Sequence, residues 1–273
     1  MRTVSFELAP ALAARWNDGS LLRSAWLNAL SLFLPTGEAF FVETVRGAPC
    51  DARPMASAVS AFVMQESAHR RQHELYNRCV CTQFRSAQRW VDYMDRSWAL
   101  KRALMSERKR LAATVVIEHL TTIIARLILT ESSLLAGADA EYANLWKWHA
   151  LEELEHKAVA FDLYLARYGS RRGLTATMII VSLVFALEYA AVLASLLFEK
   201  RETRRLATFG ATFAVLRSDP VAALRRQYFE FFRSGYSPSA IDDTPVVLRW
   251  RREDELQRHV LKSRRPGAYA DGC

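Results

Sequence analysis

Five of the six histidines fall in three segments that read as helices, and two of those segments carry the pattern Glu-x-x-His. Glu66 and His69 form the first, with His73 one turn further on; Glu153 and His156 form the second, with His149 one turn before it. A helix turns about 100° per residue, so Glu66, His69 and His73 sit at roughly 0°, 300° and 340°, a single narrow stripe. Glu153, His156 and His149, at roughly 0°, 300° and 320°, form a matching stripe. The three-residue spacing brings carboxylate and imidazole to about 5–6 Å at their Cβ atoms, pointing the same way, which suits one metal ion between them. Chain order adds Glu38 before the first motif and Glu118 before the second. The order Glu, Glu-x-x-His, Glu, Glu-x-x-His is the donor set of a di-iron carboxylate bundle. The expected metal ligands are therefore Glu38, Glu66, His69, Glu118, Glu153 and His156.

A single Glu-x-x-His on a solvated helix face means little, and the competing reading of two is a buried salt-bridge network. Apolar residues interleave both stripes, among them Phe62, Val63, Trp148, Leu151 and Phe161. The polar groups are thus expected to face a helix partner, where unpaired charge is costly and a metal pair satisfies it. Several residues compete for these roles. Glu152 stands beside Glu153 but starts no Glu-x-x-His, and Glu155 points to the opposite side. Glu43 lies about 140° from Glu38, so both cannot face the metals on one regular helix. His119, about 100° from Glu118, is expected to support a ligand or lie at the surface rather than ligate. Asn77 and Tyr142 continue the two stripes as candidate hydrogen-bond partners of the ligands.

Only 10 Gly and 8 Pro punctuate the 273 residues, and 51% are hydrophobic, so long helices with short connections are expected and the chain is read as all-α. Residues 20–46 read as helical with an interruption at Pro35-Thr36-Gly37. Helices follow at about 57–82, from Ala87 to about Leu104, and at 107–136 closed by Gly137. Another begins at an Asp139 N-cap and ends at Tyr168 before Gly169. Residues 174–198 are a 25-residue apolar stretch whose one charge is Glu188. That length can span a bilayer, but a central Glu is expensive in lipid, and a helix packed on the bundle with Glu188 turned toward a partner is favoured. Two regions result: 1–170, a four-helix di-metal bundle, and 171–273, a C-terminal helical extension of the apolar helix and a basic tail.

The net charge of +8 is concentrated after residue 170, where 17 basic groups face 11 acidic ones, against 20 and 18 before it. That bias suits an anionic membrane surface as readily as nucleic acid, and no nucleic-acid-binding signature supports the latter. Cys50, Cys79, Cys81 and Cys273 form no disulfide framework, which predicts a reducing cytoplasm. Cys79-x-Cys81 is a weak metal signal by itself.

The segments SLFLPTGEAFFVETVR, FVMQESAHRRQHELYN, IEHLT and WHALEELEHKAVAFDLY resemble the bacterial family of predicted metal-dependent hydrolases, which have a ferritin-like helical core. The likeness runs from about Ala25 to Tyr168, with a weaker echo at YFEFFRSGYSPSAIDD, where Ser237 precedes Pro238 in place of a histidine. It implies metal-site roles for Glu38, Glu66, His69, His73, Glu118, His149, Glu153 and His156. It also implies that the second and fourth bundle helices run antiparallel, which brings His73 and His149 to one end of the site. There they are expected to act as acid and base toward substrate, as extra ligands, or at a third metal.

The donor set suits iron first, with manganese or zinc as alternatives, and the expected chemistry is oxidation of an organic substrate by dioxygen at two metal ions. The alternative is hydrolysis by hydroxide that a metal generates; Gly-x-Ser-x-Gly and His-Glu-x-x-His motifs are absent. Iron binding without organic chemistry is a third reading. The partners implied are a small apolar substrate and dioxygen, with no nucleic acid. Membrane-surface association through 174–198 and homo-oligomer formation are further expectations.

Overall fold

A computed structural model of the chain describes residues 4–48, 53–200 and 219–252. The described residues form ten α-helices and three short 3-10 turns, and the only β-pairing among them is an isolated bridge between Asn17 and Ala138. The helices are α1 (Leu21–Ser31), α2 (Leu34–Arg46), α3 (Arg53–Gln83), α4 (Arg85–Leu104) and α5 (Glu107–Thr130). They continue as α6 (Ala140–His156), α7 (Val159–Tyr168), α8 (Leu174–Glu199), α9 (Asp219–Glu230) and α10 (Thr244–Arg252). The all-α class is as expected.

Three boundaries differ from the sequence reading, each for a local reason. The break between the first two helices falls at Leu32 and Phe33, and Pro35 lies inside the first turn of α2. A proline there sacrifices no helical hydrogen bond, because the first N–H groups have no partner within the helix. Gly137 does not cap α5; that helix ends at Thr130, and Gly137 follows a 3-10 turn at Ser132–Leu135 with φ +71°. A Cβ at Gly137 would also meet Asp18 Oδ1 at 2.6 Å. The single helix expected from Asp139 to Tyr168 is divided at Lys157 and Ala158 into α6 and α7. Its two ends agree with expectation: Asp139 accepts from the amides of Glu141 and Tyr142, and Gly169 closes α7 with φ +61°.

α2 packs along α3 and α5 along α6, and α2 also meets α5 while α3 meets α6 and α7. This is a four-helix arrangement of two pairs, consistent with a ferritin-like bundle. On these four helices Phe40, Phe62, Val116, Trp148 and Leu151 are all fully or almost fully buried. α8 lies across α1, α4 and α5, burying Leu174, Met178, Val192, Leu196 and Leu197. Glu188 does turn toward a partner: it accepts from Tyr93 at 2.9 Å and pairs with Lys101 at 3.5 Å, both on α4.

The segment that echoes the family pattern fastens the C-terminal helices to the bundle. Asp243 is buried and bound by Arg126 at 2.7 and 2.8 Å and by Lys157 at 2.5 Å. Trp250 donates to the Leu129 carbonyl, and the Arg171 guanidinium lies over the rings of Phe161, Phe231 and Tyr236. Ser237 accepts from the amide of Ser239 and so caps the turn at Pro238–Ala240. Cys50, Cys273, His259 and most of the basic tail lie outside the described residues.

Candidate metal centre

Each of the four bundle helices brings at least one expected side chain to the centre: Glu38 from α2; Glu66, His69 and His73 from α3; Glu118 from α5; His149, Glu153 and His156 from α6. None of the eight is more than 4% exposed. They converge as four overlapping triads, Glu38–His73–His149, His69–His149–Glu153, Glu38–Glu66–His69 and Glu66–Glu118–His156. Within each triad one oxygen or nitrogen atom per residue lies within 4.8 Å of the others.

The separations are those of groups gathered around shared points. His69 Nδ1 is 3.2 Å from Glu66 Oε1, and His156 Nε2 is 3.2 Å from Glu66 Oε1 and 3.3 Å from Glu118 Oε2. The contacts of His156 Nε2 are within ion-pairing distance but lack hydrogen-bond direction. His156 Nε2, both oxygens of Glu38, both of Glu118 and Glu66 Oε2 are buried without a hydrogen-bond partner. Folded proteins hold only a few such atoms per hundred residues, and six in one cluster fit a ligand that satisfies them.

The electrostatics agree. Burial, reinforced by Glu66, pushes the Glu38 carboxyl well above its usual range, and burial with the charge of Glu153 pushes Glu118 up to about 8. Burial alone would lower His69, but hydrogen bonds to Glu152 and Glu66 outweigh it and raise the ring to about 10. Burial opposes the charge on Glu153 too, yet His156 and His149 hold this carboxylate well below the usual range. Without a cation the cluster must gather protons, and a divalent ion supplies the same positive charge to carboxylates already converged on it.

A line of hydrogen bonds runs along one edge of the cluster. Ser31 Oγ donates to Asn77 Oδ1 at 2.7 Å, so it accepts from His73 Nδ1 at 2.8 Å. His73 Nε2 must then accept from His149 Nδ1 at 2.7 Å. Burial lowers both rings. His149 Nε2 in turn lies 2.9 Å from Glu153 Oε1, so the line of contacts ends on a carboxylate of the cluster. The carboxylates, imidazoles and orphaned atoms together fit a bound metal.

The residues that compete for these roles separate clearly. Glu152 is buried and accepts from His69 Nε2 at 3.1 Å, so it holds the ring from the side away from Glu66. Glu43 faces outward and pairs with Arg102 and Arg110. Glu155 binds Arg251. His119 is buried, not superficial, and turns to Tyr236, whose hydroxyl lies 2.8 Å from its Nδ1. Asn77 acts through Ser31, but Tyr142 donates to the Ala9 carbonyl and takes no part in the site. Cys79 and Cys81 are free thiols and join none of the triads. Sequence reading passed over Ser31, Thr121 and Gln65. Thr121 donates to Glu153 Oε2 at 2.7 Å, and Gln65 Oε1 lies 3.3 Å from His156 Nδ1. Small hydroxyls and amides in helices carry no spacing signal that marks them.

No curated protein and no solved structure matches the chain. A family model does, across residues 1–242, which include all eight residues of the centre. The chain belongs to the family of predicted metal-dependent hydrolases.

Proposed function

We propose that the protein is a dinuclear metal-dependent hydrolase whose two ions are held by Glu38, Glu66, His69, Glu118, Glu153 and His156. The observation that carries the reading is the convergence of four glutamates and four histidines, buried, with six of their polar atoms left without hydrogen-bond partners. Bound there, two divalent ions would activate a water and polarise the oxygen of the bond to be cleaved. The protein's own contribution is position and proton handling. Glu152 and Gln65 fix the far sides of His69 and His156, and Thr121 orients Glu153. His149, His73 and Ser31 form a line along which a proton taken at His149 can be passed on and later returned to a leaving group.

Family membership supports hydrolysis over the oxidation that the donor set by itself suggests. That donor set, carboxylate and imidazole without thiolate, favours a second reading as an iron-dependent oxidoreductase. Protein purified without chelator and analysed for metal separates them. Ester or phosphoester turnover with zinc or manganese supports hydrolysis. Dioxygen consumption on ferrous loading without hydrolysis supports the second reading. His73→Gln is expected to keep the metal content and lower kcat roughly 100-fold with an altered pH profile, the size of a lost general acid–base. An unchanged pH–rate profile would remove His73 from catalysis.

A further inference from the structure

A cavity of about 250 Å³ lies between α2, α4, α5 and α8, beside the metal centre. Only Lys101, Glu188, Thr121 and the indole of Trp98 bring polar side-chain atoms to its wall. Two of these are already engaged with each other, since Lys101 and Glu188 form an ion pair. The third, Thr121, donates to Glu153. A smaller cleft, lined by His149 and Glu153, shares four wall residues with the cavity: Leu30, Leu34, Thr121 and Ile124. The cavity and this cleft therefore adjoin, with Thr121 on the wall of both. Its opposite wall includes Ile180 and Val184, which are also 62% and 39% exposed on the outer face of α8.

That outer face is apolar throughout. Ile179, Ile180, Leu183, Val184 and Leu187 follow one another along it, and no charged residue interrupts the sequence from Leu174 to Phe198 except the inward-turned Glu188. An apolar surface outside, an apolar cavity behind it and, across Leu34 and Thr121, the cleft on His149 and Glu153 lie one behind another. A ligand matched to that arrangement has a long hydrocarbon part and a single polar, reacting end.

We infer that this cavity holds the hydrocarbon chain of a long-chain acyl ester, admitted past Ile180 and Val184, with its carbonyl at the metal centre. The inference rests on the hydrolase reading for its chemistry and on the cavity alone for its binding. Cleavage would add water across the ester: the acyl carbon gains the water oxygen and the carbon–alkoxide bond breaks. The alkoxide leaves with a proton.

The test has two arms on the full-length, metal-loaded protein. Binding is read first, with a fluorescent long-chain polyenoic acid as probe, supplied either free in solution or in phosphatidylcholine vesicles. Saturable binding is expected, with Ile180→Trp and Val184→Trp each raising Kd about tenfold, or about 1.4 kcal/mol. Ile179→Trp, on the same exposed face but outside the cavity wall, should leave Kd unchanged. Equal effects of all three substitutions, or binding that does not saturate, would overturn the inference. Faster loading from vesicles would identify a bilayer as the source of the chain, and faster loading from solution the free molecule; both support the cavity. Turnover of p-nitrophenyl esters is read second. kcat/KM should rise about fourfold per added CH₂, the equivalent of about 0.8 kcal/mol. Val184→Trp should abolish that rise. Site-specific probe binding without turnover of any ester sinks the hydrolase reading and leaves the cavity assignment standing. Ester turnover indifferent to chain length, with no site-specific probe binding, does the reverse.

Discussion

The bundle centre and the outer face of α8 depart from ordinary burial in opposite directions. At the centre, eight ionisable side chains are withdrawn from water among Phe62, Trp148 and Leu151. On α8, leucines, isoleucines and a valine are left outside on a helix as apolar as a membrane span. The helices Glu107–Thr130 and Leu174–Glu199 both have the length and hydropathy to cross a bilayer, and so does the stretch Leu21–Arg46. The difference lies in where their surface goes: 67% of the most apolar window of Glu107–Thr130 is buried, against 11% for Leu174–Glu199. Hydropathy measures what a helix can tolerate around it, and packing decides what it receives. Unusual burial of either kind signals a ligand: a cation for the centre, an apolar partner or substrate for the helix.

The comparison breaks most decisively at the centre. Glu66→Ala combined with Glu153→Ala is expected to abolish stoichiometric binding of both metals, because each removes the carboxylate of a Glu-x-x-His. Metal analysis that still finds two tightly bound ions would leave the eight residues as a salt-bridge network. Next in size is a contrast within α8. Leu196→Ala, at a fully buried position, should cost about 2–5 kcal/mol in chemical denaturation. A cost near zero would mean that α8 does not pack on the bundle as described.

A smaller effect concerns the seam between bundle and C-terminal segment. Burial, helped by the charge of Arg126, lowers His119 from 6.5 to about 4. The folded state thus keeps His119 neutral while the unfolded chain takes up a proton below pH 6.5. Its contribution is full above pH 6.5 and is lost as pH falls from there toward 4, by up to about 3 kcal/mol. Because the carboxylate cluster titrates as well, the quantity to measure is the pH dependence of wild type minus that of His119→Gln. Parallel curves would contradict the assignment. The smallest expected effect is that of Leu187→Gln on the exposed face of α8, within about 0.5 kcal/mol of wild-type stability. The same change should weaken sedimentation with lipid vesicles if that face meets a membrane, so a stability loss without a change in sedimentation would mark the face as packed.

The convergence of side chains at the centre was legible because residues that share a helix face obey a strict period. Two Glu-x-x-His motifs with a histidine one turn from each, and two further glutamates in the right order, name the eight residues that converge. Their apolar neighbours announced that the stripe would be buried, and the scarcity of Gly and Pro announced the all-α class. Local signals of this kind, Asp139 as an N-cap and Gly169 in the left-handed region among them, depend on a few adjacent residues.

What only tertiary structure decided depends on residues far apart in the chain. Pro35 looked like a break because its effect differs between the first turn of a helix and its middle, and the packing of Phe33 and Leu34 sets where that turn begins. Tyr142 lies on the same stripe as His149 and Glu153, yet Trp16 and Ala9 from the N-terminal segment draw it away. Ser31, Thr121 and Gln65 became part of the centre only when neighbouring helices placed them against His73, Glu153 and His156. The apolar cavity is likewise invisible in any one helix. It exists because α8 crosses α4 and α5 without filling the space between them and α2, and side-chain period along one helix carries no record of the gap beside it.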